Sequence, residues 1–416
     1  MDKFMVKGPC RLSGRIEING AKNAVLPIMA ASLLTRGKST IDNVPNLRDV
    51  KTMNELLRML GAEVMFENRS LTIDTRNIKN YEAPYDLVRT MRASIYVLGP
   101  LVAAYGRARV SLPGGCAWGP RPIDLHLHAL EKLGARLKLE EGYIHASADK
   151  LKGAEIVFST SSVGATAQAI MAAVLARGVT TLKNSAVEPE VTELARCLIE
   201  AGANIEGVGT SVIRIEGVDR VEPFHHRVIP DRIEAGTFAA AALATGGEIE
   251  LAGCDPAHMD AVFEALRACG GVIEVSGDTV RVSGPEKLEA LHVVTHEYPG
   301  FPTDMQAQMI AVLARARGTS TVTDTIYPDR FTHVPELRRL GASIRLDGNI
   351  AVVKGVNRLG GAPVMATDIR ASSALIIAAM AAEGTTEISR VYHIDRGYER
   401  IEERLRRLGA EIERIS

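Results

Sequence analysis

A chain of 416 residues, 46% hydrophobic and 24% charged, is long enough for two or three globular domains and too apolar for extensive disorder. Its formal net charge of −1 gives no bulk attraction to nucleic acid or to an anionic membrane, so any anion site must be local. The five cysteines, at 10, 116, 197, 254 and 269, are odd in number and irregularly spaced, which fits neither a disulfide framework nor a metal pattern and points to the reducing cytoplasm.

The chain opens with "MDKFMVKGPCRLSG", which lacks the apolar core of a signal peptide, and runs such as "SALIIAAMAAEG" are too short to span a bilayer. From there one pattern recurs. A helix closing on glycine comes first: "MAASLLTRG", "LVAAYG", "MAAVLARG", "ALATGG", "VLARARG" and "IAAMAAEG", ending at Gly37, Gly106, Gly178, Gly246, Gly318 and Gly384. Short β-rich segments follow, as in "KSTIDNV" and "TTEISRV". A second helix then ends at a glycine cap and runs straight into a strand: "LRMLGAEV", "LEKLGARL", "LIEAGANI", "LRACGGVI", "LRRLGASI" and "LRRLGAEI". The shared glycines stand at 61, 134, 202, 270, 341 and 409. Six paired copies at nearly one period predict a repeated strand–helix–strand–helix fold.

Five copies continue into a two-strand pattern such as "VIEVSGDTVRVSGP"; the sixth stops at "EIERIS", one strand short. The N-terminal "FMVKGPC" resembles "VRVSGPE" at 280–286, so the first ~20 residues are expected to cross over and complete the last copy. That gives two domains of three copies: 21–229, which carries the Cys116 loop, and 230–416 together with 1–20. The connection "EPFHHRVIPDRI" (222–233) would hold His225 and His226 as solvated linker residues rather than metal ligands.

A helix amino end carries partial positive charge, so a cation placed there calls for an anion. Fourteen residues before the first-helix glycines stand Asn23 (beside Lys22), Arg92, Gly164, Arg232, Asp304 and Arg370. Thirteen before the second-helix glycines, copies one, two and six have Arg48, Arg121 and Arg396, and copy five has Arg330 at an offset of 11. Copy three opens its first helix with "STSSVGA", small enough for backbone N–H groups to approach phosphate oxygens. A single such arginine is more often a solvated charge. Equivalent positions across repeats instead predict cations gathered around one cleft between the halves, for a small, multiply anionic, phosphorylated ligand.

The stretch "LPGGCAWGPRPIDLH" (112–126) joins a strand to the helix beginning near Asp124 in copy two. Its glycines and prolines make it a shaped excursion able to act as a lid, and Arg121 and the helix start would favour the Cys116 thiolate. Trp118, the only tryptophan, would pack the loop down. The other four cysteines, Cys10, Cys197, Cys254 and Cys269, are expected to be inert, most of them packed in the core.

The motifs "NGAKNAVLP", "TMRAS", "GGCAWGPRPIDLH", "SVGAT", "PDRIEAGTF", "FPTDMQAQ", "DRFTHVPELRRLGA", "TDIRAS" and "HIDRGYERI" resemble, in order and over nearly the whole chain, those of the UDP-N-acetylglucosamine enolpyruvyltransferases. The resemblance implies an α/β fold of six βαβαββ-type repeats, three in each of two domains, described as an inside-out α/β barrel. It also implies transfer of the enolpyruvyl group of phosphoenolpyruvate to the 3′-hydroxyl of UDP-N-acetylglucosamine with release of phosphate. That is the first committed step of peptidoglycan synthesis, and hence of cell-wall biogenesis, cell shape and division. No cofactor or metal, no nucleic acid, no membrane insertion and no obligatory oligomer are implied.

By the same resemblance Cys116 is the general acid, able to add covalently to phosphoenolpyruvate and to be alkylated by an epoxide phosphonate such as fosfomycin. Lys22, Arg121 and Arg396 match phosphate contacts of phosphoenolpyruvate, with Arg330 and Arg370 nearby. Asp304 matches the carboxylate at the sugar 3′-hydroxyl; among cations it should stay ionised and be a weak base, so positioning is a large part of its role. Asn23 matches a sugar contact. Arg92, Pro122, Ile123, Asp124, Leu125, Ser162, Val163, Gly164 and Ile326 match the UDP-sugar pocket. Two positions depart from the family: Trp118 stands where isoleucine is common, and no lysine precedes Ser162 in "FSTSS". The alternatives are transfer to shikimate 3-phosphate on the same fold, whose enzymes lack the thiol loop, and a non-catalytic repeat scaffold.

Overall fold

Two kinds of helix alternate along the chain, and the difference between them sets the architecture. The computed structural model describes residues 2–112 and 123–416. The chain divides into two compact units, Met1–Asn19 with Pro230–Ser416, and Gly20–Ile229.

Among the described residues there are six four-stranded sheets, three in each unit, all of one design. In the fifth copy, the short strand His292–Val294 runs parallel to Thr319–Thr323, which pairs antiparallel with Ile350–Lys354, which pairs with Ser343–Asp347. A helix links the parallel pair, a second helix follows, and the last two strands form a hairpin: the βαβαββ order. None of these sheets closes on itself among the described residues. Hairpin turns use left-handed backbone, with Asn68 and Arg69 at φ 49° and 63°, which matches the natural strand twist.

The first helix of each copy is apolar on nearly all sides and goes inside. In Ile369–Ala381 every residue but Ile369 is buried, and in Arg232–Ala244 every residue but Arg232. In the unit containing the C-terminus these two and Gln306–Leu313 pack against one another. In the other unit Leu98–Tyr105 packs on Val163–Ala173, while Lys22–Ala31 packs on the turn Arg92–Val97 and on Pro189–Glu200. Truncating a fully buried residue such as Leu375 to alanine would cost about 2–5 kcal/mol. The second helices are amphipathic: Arg48–Leu60 buries Val50, Met53, Leu56, Leu57 and Leu60 and leaves its charged face in water.

The six second-helix glycines all adopt positive φ, from 89° to 109°, where a side chain would be strained. Five of the six first-helix glycines do the same. At Gly37 the left-handed residue is instead Arg36, and Gly37 is required because a Cβ there would lie 2.3 Å from Pro223.

The chain termini of the repeats are exchanged in two places. Lys3–Gly8 lies between Gly384–Ser389 and Glu411–Ile415, in the position of the strand the sixth copy lacks. Ser13–Glu17, expected in that same copy, pairs parallel with Glu248–Ala252 of copy four. The segment read as a solvated linker also differs from expectation. His225–Arg227 is a strand parallel to Lys38–Asp42 of copy one. His225 is exposed and bonds Asp42 at 2.7 Å, but His226 is buried, its two ring nitrogens donating to Glu193 at 2.9 Å and Glu200 at 2.7 Å. Burial opposes a charge on His226; the hydrogen bonds and charges of the two glutamates together raise its pKa above the ordinary value. Three residues are too few for an apolar alternation to show, and the strand's only inward residue is a histidine satisfied by acids far away in sequence.

Candidate active site

All six residues picked out fourteen before the first-helix glycines fall in the opening turn of a helix. Asn23 is the second residue of Lys22–Ala31, Gly164 of Val163–Ala173 and Arg370 of Ile369–Ala381. Arg232 opens Arg232–Ala244, and Arg92 opens the turn Arg92–Val97 that continues into Leu98–Tyr105. Asp304 lies in the turn Thr303–Met305 leading into Gln306–Leu313. In the second-helix series Arg48 opens Arg48–Leu60 and is exposed, Arg396 ends the turn Val391–Arg396, and Arg330 precedes Val334–Arg339. Cys116, Trp118, Arg121 and Pro122 lie outside the described residues.

In the unit containing the C-terminus, the helix starts of copies five and six meet. Arg330 Nη1 is 2.7 Å from Asp304 Oδ1 and Arg370 Nη2 is 2.8 Å from Asp304 Oδ2. Both arginines are nearly inaccessible, while the Asp304 side chain keeps 26% of its exposure. Burial alone would raise the Asp304 pKa, but the charges of Arg370 and Arg330 outweigh it and hold the carboxyl well below its usual range. Burial likewise works against the charge on Arg370, and Asp304 more than offsets it. A carboxylate so held can accept a hydrogen bond and orient it, but it is a weak base. The two arginines carry one more positive charge than the carboxylate neutralises.

Three supports of this cluster escaped the sequence reading. Thr303 accepts from Arg330 at 3.1 Å and donates to Asp324 at 2.7 Å, whose other oxygen accepts from the backbone of Ile326 and Tyr327. Asp368 caps the helix carrying Arg370, accepting from the N–H groups of Arg370 and Ala371 at 2.7 and 3.0 Å. Tyr398 accepts from Arg370 Nη1 at 3.1 Å. Asp368 and Tyr398 stand inside the quoted motifs "TDIRAS" and "HIDRGYERI", so the signal was present without a reason attached.

In the other unit an ion pair and close packing are both seen at the helix starts. Lys22, buried, lies 3.4 Å from Asp49, the residue after Arg48. Ser162 caps the helix of copy three by accepting from the Ala165 N–H at 3.3 Å. Gly164 faces the ring of His126: a Cβ at 164 would sit 2.8 Å from His126 Nε2. The ring, 3% exposed, bonds Gln168 Oε1 through Nδ1 at 3.2 Å. Burial drives its pKa down to about 4, with the charge of Arg92 adding to the effect and Asp124 and the Gln168 bond opposing it. His126 and Gly164 are therefore neighbours, and the charges of Arg92 and Asp124 are near enough to act on the ring. The glycine in "SVGAT" was read as room for phosphate oxygens; the ring behind it is a further reason for its smallness. Ile123, capping Asp124–Lys132, and Leu125 within it are half-buried, as are Val163 and Ile326.

Cys197, Cys254 and Cys269 are buried and Cys10 is half-buried, as expected. Burial pushes the Cys10 thiol up to about 11 and those of Cys254 and Cys269 to about 12, and raises Cys197 too. Among the described residues no three His, Cys, Asp or Glu side chains are grouped to hold a metal, and no helix is long and apolar enough to cross a membrane. Two cavities lie away from the helix starts. One of about 470 Å³ is on the sheet of copy two, beside Arg107, Arg109 and Lys138; one of about 810 Å³ is beside Arg11, Arg315 and Arg317. Neither is lined by a candidate residue.

Residues 6–405 match the sequence profile of the family described as EPSP synthase (3-phosphoshikimate 1-carboxyvinyltransferase). The chain is 52% identical to the UDP-N-acetylglucosamine 1-carboxyvinyltransferase of Desulfosudis oleivorans, over the whole of both chains. It is equally similar to that of Myxococcus xanthus, over 100% of this chain and 99% of the relative. Its backbone resembles the crystal structure of the enolpyruvyl transferase NikO from Streptomyces tendae with a TM-score of 0.89 at 25% identity, covering 99% and 98% of the two chains. An EPSP synthase structure from Acinetobacter baumannii superimposes over both full lengths with a TM-score of 0.76 at 18% identity, a likeness of fold.

Proposed function

The chain belongs to the EPSP synthase family and, within it, is related over its full length to the UDP-N-acetylglucosamine 1-carboxyvinyltransferases; from this we propose that it transfers the enolpyruvyl group of phosphoenolpyruvate to the 3′-hydroxyl of UDP-N-acetylglucosamine. The full-length 52% identity to relatives of that name carries the acceptor assignment, against 18% for the EPSP synthase structure. The reaction opens peptidoglycan synthesis, and we place it in the cytoplasm with no oligomer required.

The sugar oxygen adds to C2 of phosphoenolpyruvate while a proton goes to the methylene carbon, giving a tetrahedral ketal. The bond from C2 to phosphate then breaks, the new methyl carbon gives up a proton to restore the methylene, and phosphate leaves carrying the proton lost by the 3′-hydroxyl. Cys116 supplies the acid, at a methylene that no carboxylate in the cluster could protonate. Lys22, Arg121, Arg330, Arg370 and Arg396 hold phosphate and carboxylate as charge moves between them. Asp304, kept ionised by Arg330 and Arg370, accepts the 3′-hydroxyl hydrogen bond and aims the oxygen; its low basicity makes alignment its main contribution. Asn23, Arg92, Pro122, Ile123, Asp124, Leu125, Ser162, Val163, Gly164 and Ile326 bind the nucleotide sugar. Phosphate release is measured with phosphoenolpyruvate and either acceptor. Turnover is expected with UDP-N-acetylglucosamine, and turnover with shikimate 3-phosphate alone would overturn the assignment.

A further inference from the structure

Behind the Arg370–Asp304 pair runs a chain of hydroxyl groups that ends in the core. Tyr398, 1% exposed, accepts from Arg370 Nη1 at 3.1 Å and lies 2.7 Å from Thr237 Oγ1. Thr237 donates its proton to the Ile233 carbonyl at 2.8 Å and accepts from Gln308 Nε2 at 3.2 Å.

A guanidinium only donates, so Tyr398 must accept from it. With the single Thr237 proton on Ile233, the short contact with Tyr398 is filled by the phenol donating to threonine, an arrangement that gives both buried hydroxyl protons an acceptor. The order is Arg370 N–H to Tyr398 O–H to Thr237 O–H to Ile233 C=O. Each hydroxyl polarises the next, and none can turn without stranding a buried partner. Thr237 stands on the first helix of copy four, Asp304 and Gln308 belong to copy five, and Arg370 and Tyr398 to copy six. The guanidinium is thus gripped from behind by Tyr398 and at one side by Asp304. Among the described residues Tyr398 and Asp304 take one Nη1 and one Nη2 hydrogen of Arg370, and an anion would take others.

We infer that Tyr398 and Thr237 are positioning residues, which hold the Arg370 guanidinium in the orientation that binds phosphoenolpyruvate. The inference rests on the proposed function. Neither residue touches substrate; both act through Arg370.

The test is steady-state kinetics on the full chain, varying each substrate. Tyr398→Phe removes one oxygen and keeps the ring, and should raise KM for phosphoenolpyruvate about tenfold, the scale of one hydrogen bond to a charged group, with KM for UDP-N-acetylglucosamine within about twofold of the parent. Thr237→Val should shift the same constant the same way by less, and Thr237→Ser should recover at least half of that shift. The double variant Tyr398→Phe/Thr237→Val should be no worse than Tyr398→Phe, because the two act in series. A role in stability alone would lower Tm without separating the two KM values. A folded Tyr398→Phe protein with the parent KM for phosphoenolpyruvate overturns the inference while leaving the function standing. If that variant does not fold, an unchanged KM in Thr237→Val overturns it equally. A parent with no turnover overturns the function, and this inference with it.

Discussion

The two units present their helix starts differently. In the unit with the C-terminus, Asp304 is clamped by Arg330 and Arg370, and each clamp is held from behind by Thr303 or Tyr398. In the other unit, Lys22 and Asp49 form a buried ion pair at 3.4 Å, and Gly164 packs on the buried ring of His126. One repeat plan therefore holds its helix starts in two ways: by two guanidiniums around a part-exposed carboxylate, and by a buried ion pair beside close packing on a ring.

The largest expected effect concerns the thiols. Fosfomycin should abolish activity and add once, at Cys116, because burial keeps Cys10, Cys197, Cys254 and Cys269 protonated. Intact-mass and peptide mapping check this; no adduct, or one on another cysteine, contradicts it. Next, Asp304→Ala should lower kcat by about a hundredfold or more, the scale on which a misaligned reacting oxygen slows a reaction. Phosphate release measures it, and a loss under tenfold would mean that the clamp is structural.

The packed unit is probed by Gly164→Ala, whose Cβ meets the His126 ring; overpacking of this kind costs about 1–3 kcal/mol, read as a lower Tm and a higher KM for UDP-N-acetylglucosamine. Adding His126→Ala should restore part of the KM. Simple additivity of the two changes would show that the ring is not what Gly164 accommodates.

A smaller effect is the pH dependence of stability in the same unit. The folded pKa of His226 is raised, so its contribution is fully present below the unfolded value of ~6.5 and is lost as pH rises through the folded pKa. Denaturant unfolding at a series of pH values should show stability falling across that window, and His226→Gln should flatten the fall; an unchanged slope would refute the assignment. The smallest effect is expected at Arg48, the exposed member of the series. Arg48→Ala should change kcat/KM by about threefold at most, because solvent screens such a charge.

Much of the fold was legible in the sequence because it is written six times. One capping glycine carries little information; six at a nearly constant interval, four of them in "LGA", specify helix, cap and strand together, and every one adopts the left-handed conformation. The helix-start series was legible for the same reason. Less legible were Ser13–Glu17 and His225–Arg227, which cross to pair with distant copies. Strands so short have no period to read, and a parallel partner leaves no mark in local sequence. Thr237 and Tyr398 stand inside the motifs "PDRIEAGTF" and "HIDRGYERI", but nothing in the local sequence gives them a role, since an aromatic and a threonine near a helix have many ordinary uses.

The amino-acid order alone determined the repeat, the helix starts and which residue types stand there, since propensity, capping and periodicity act within some tens of residues. Only the tertiary structure decided which of those charges meet and what stands behind them. That a carboxylate stays ionised between two buried guanidiniums, or that a phenol aims one of them, depends on distances of about 3 Å between residues that lie on different elements, and packing sets such distances.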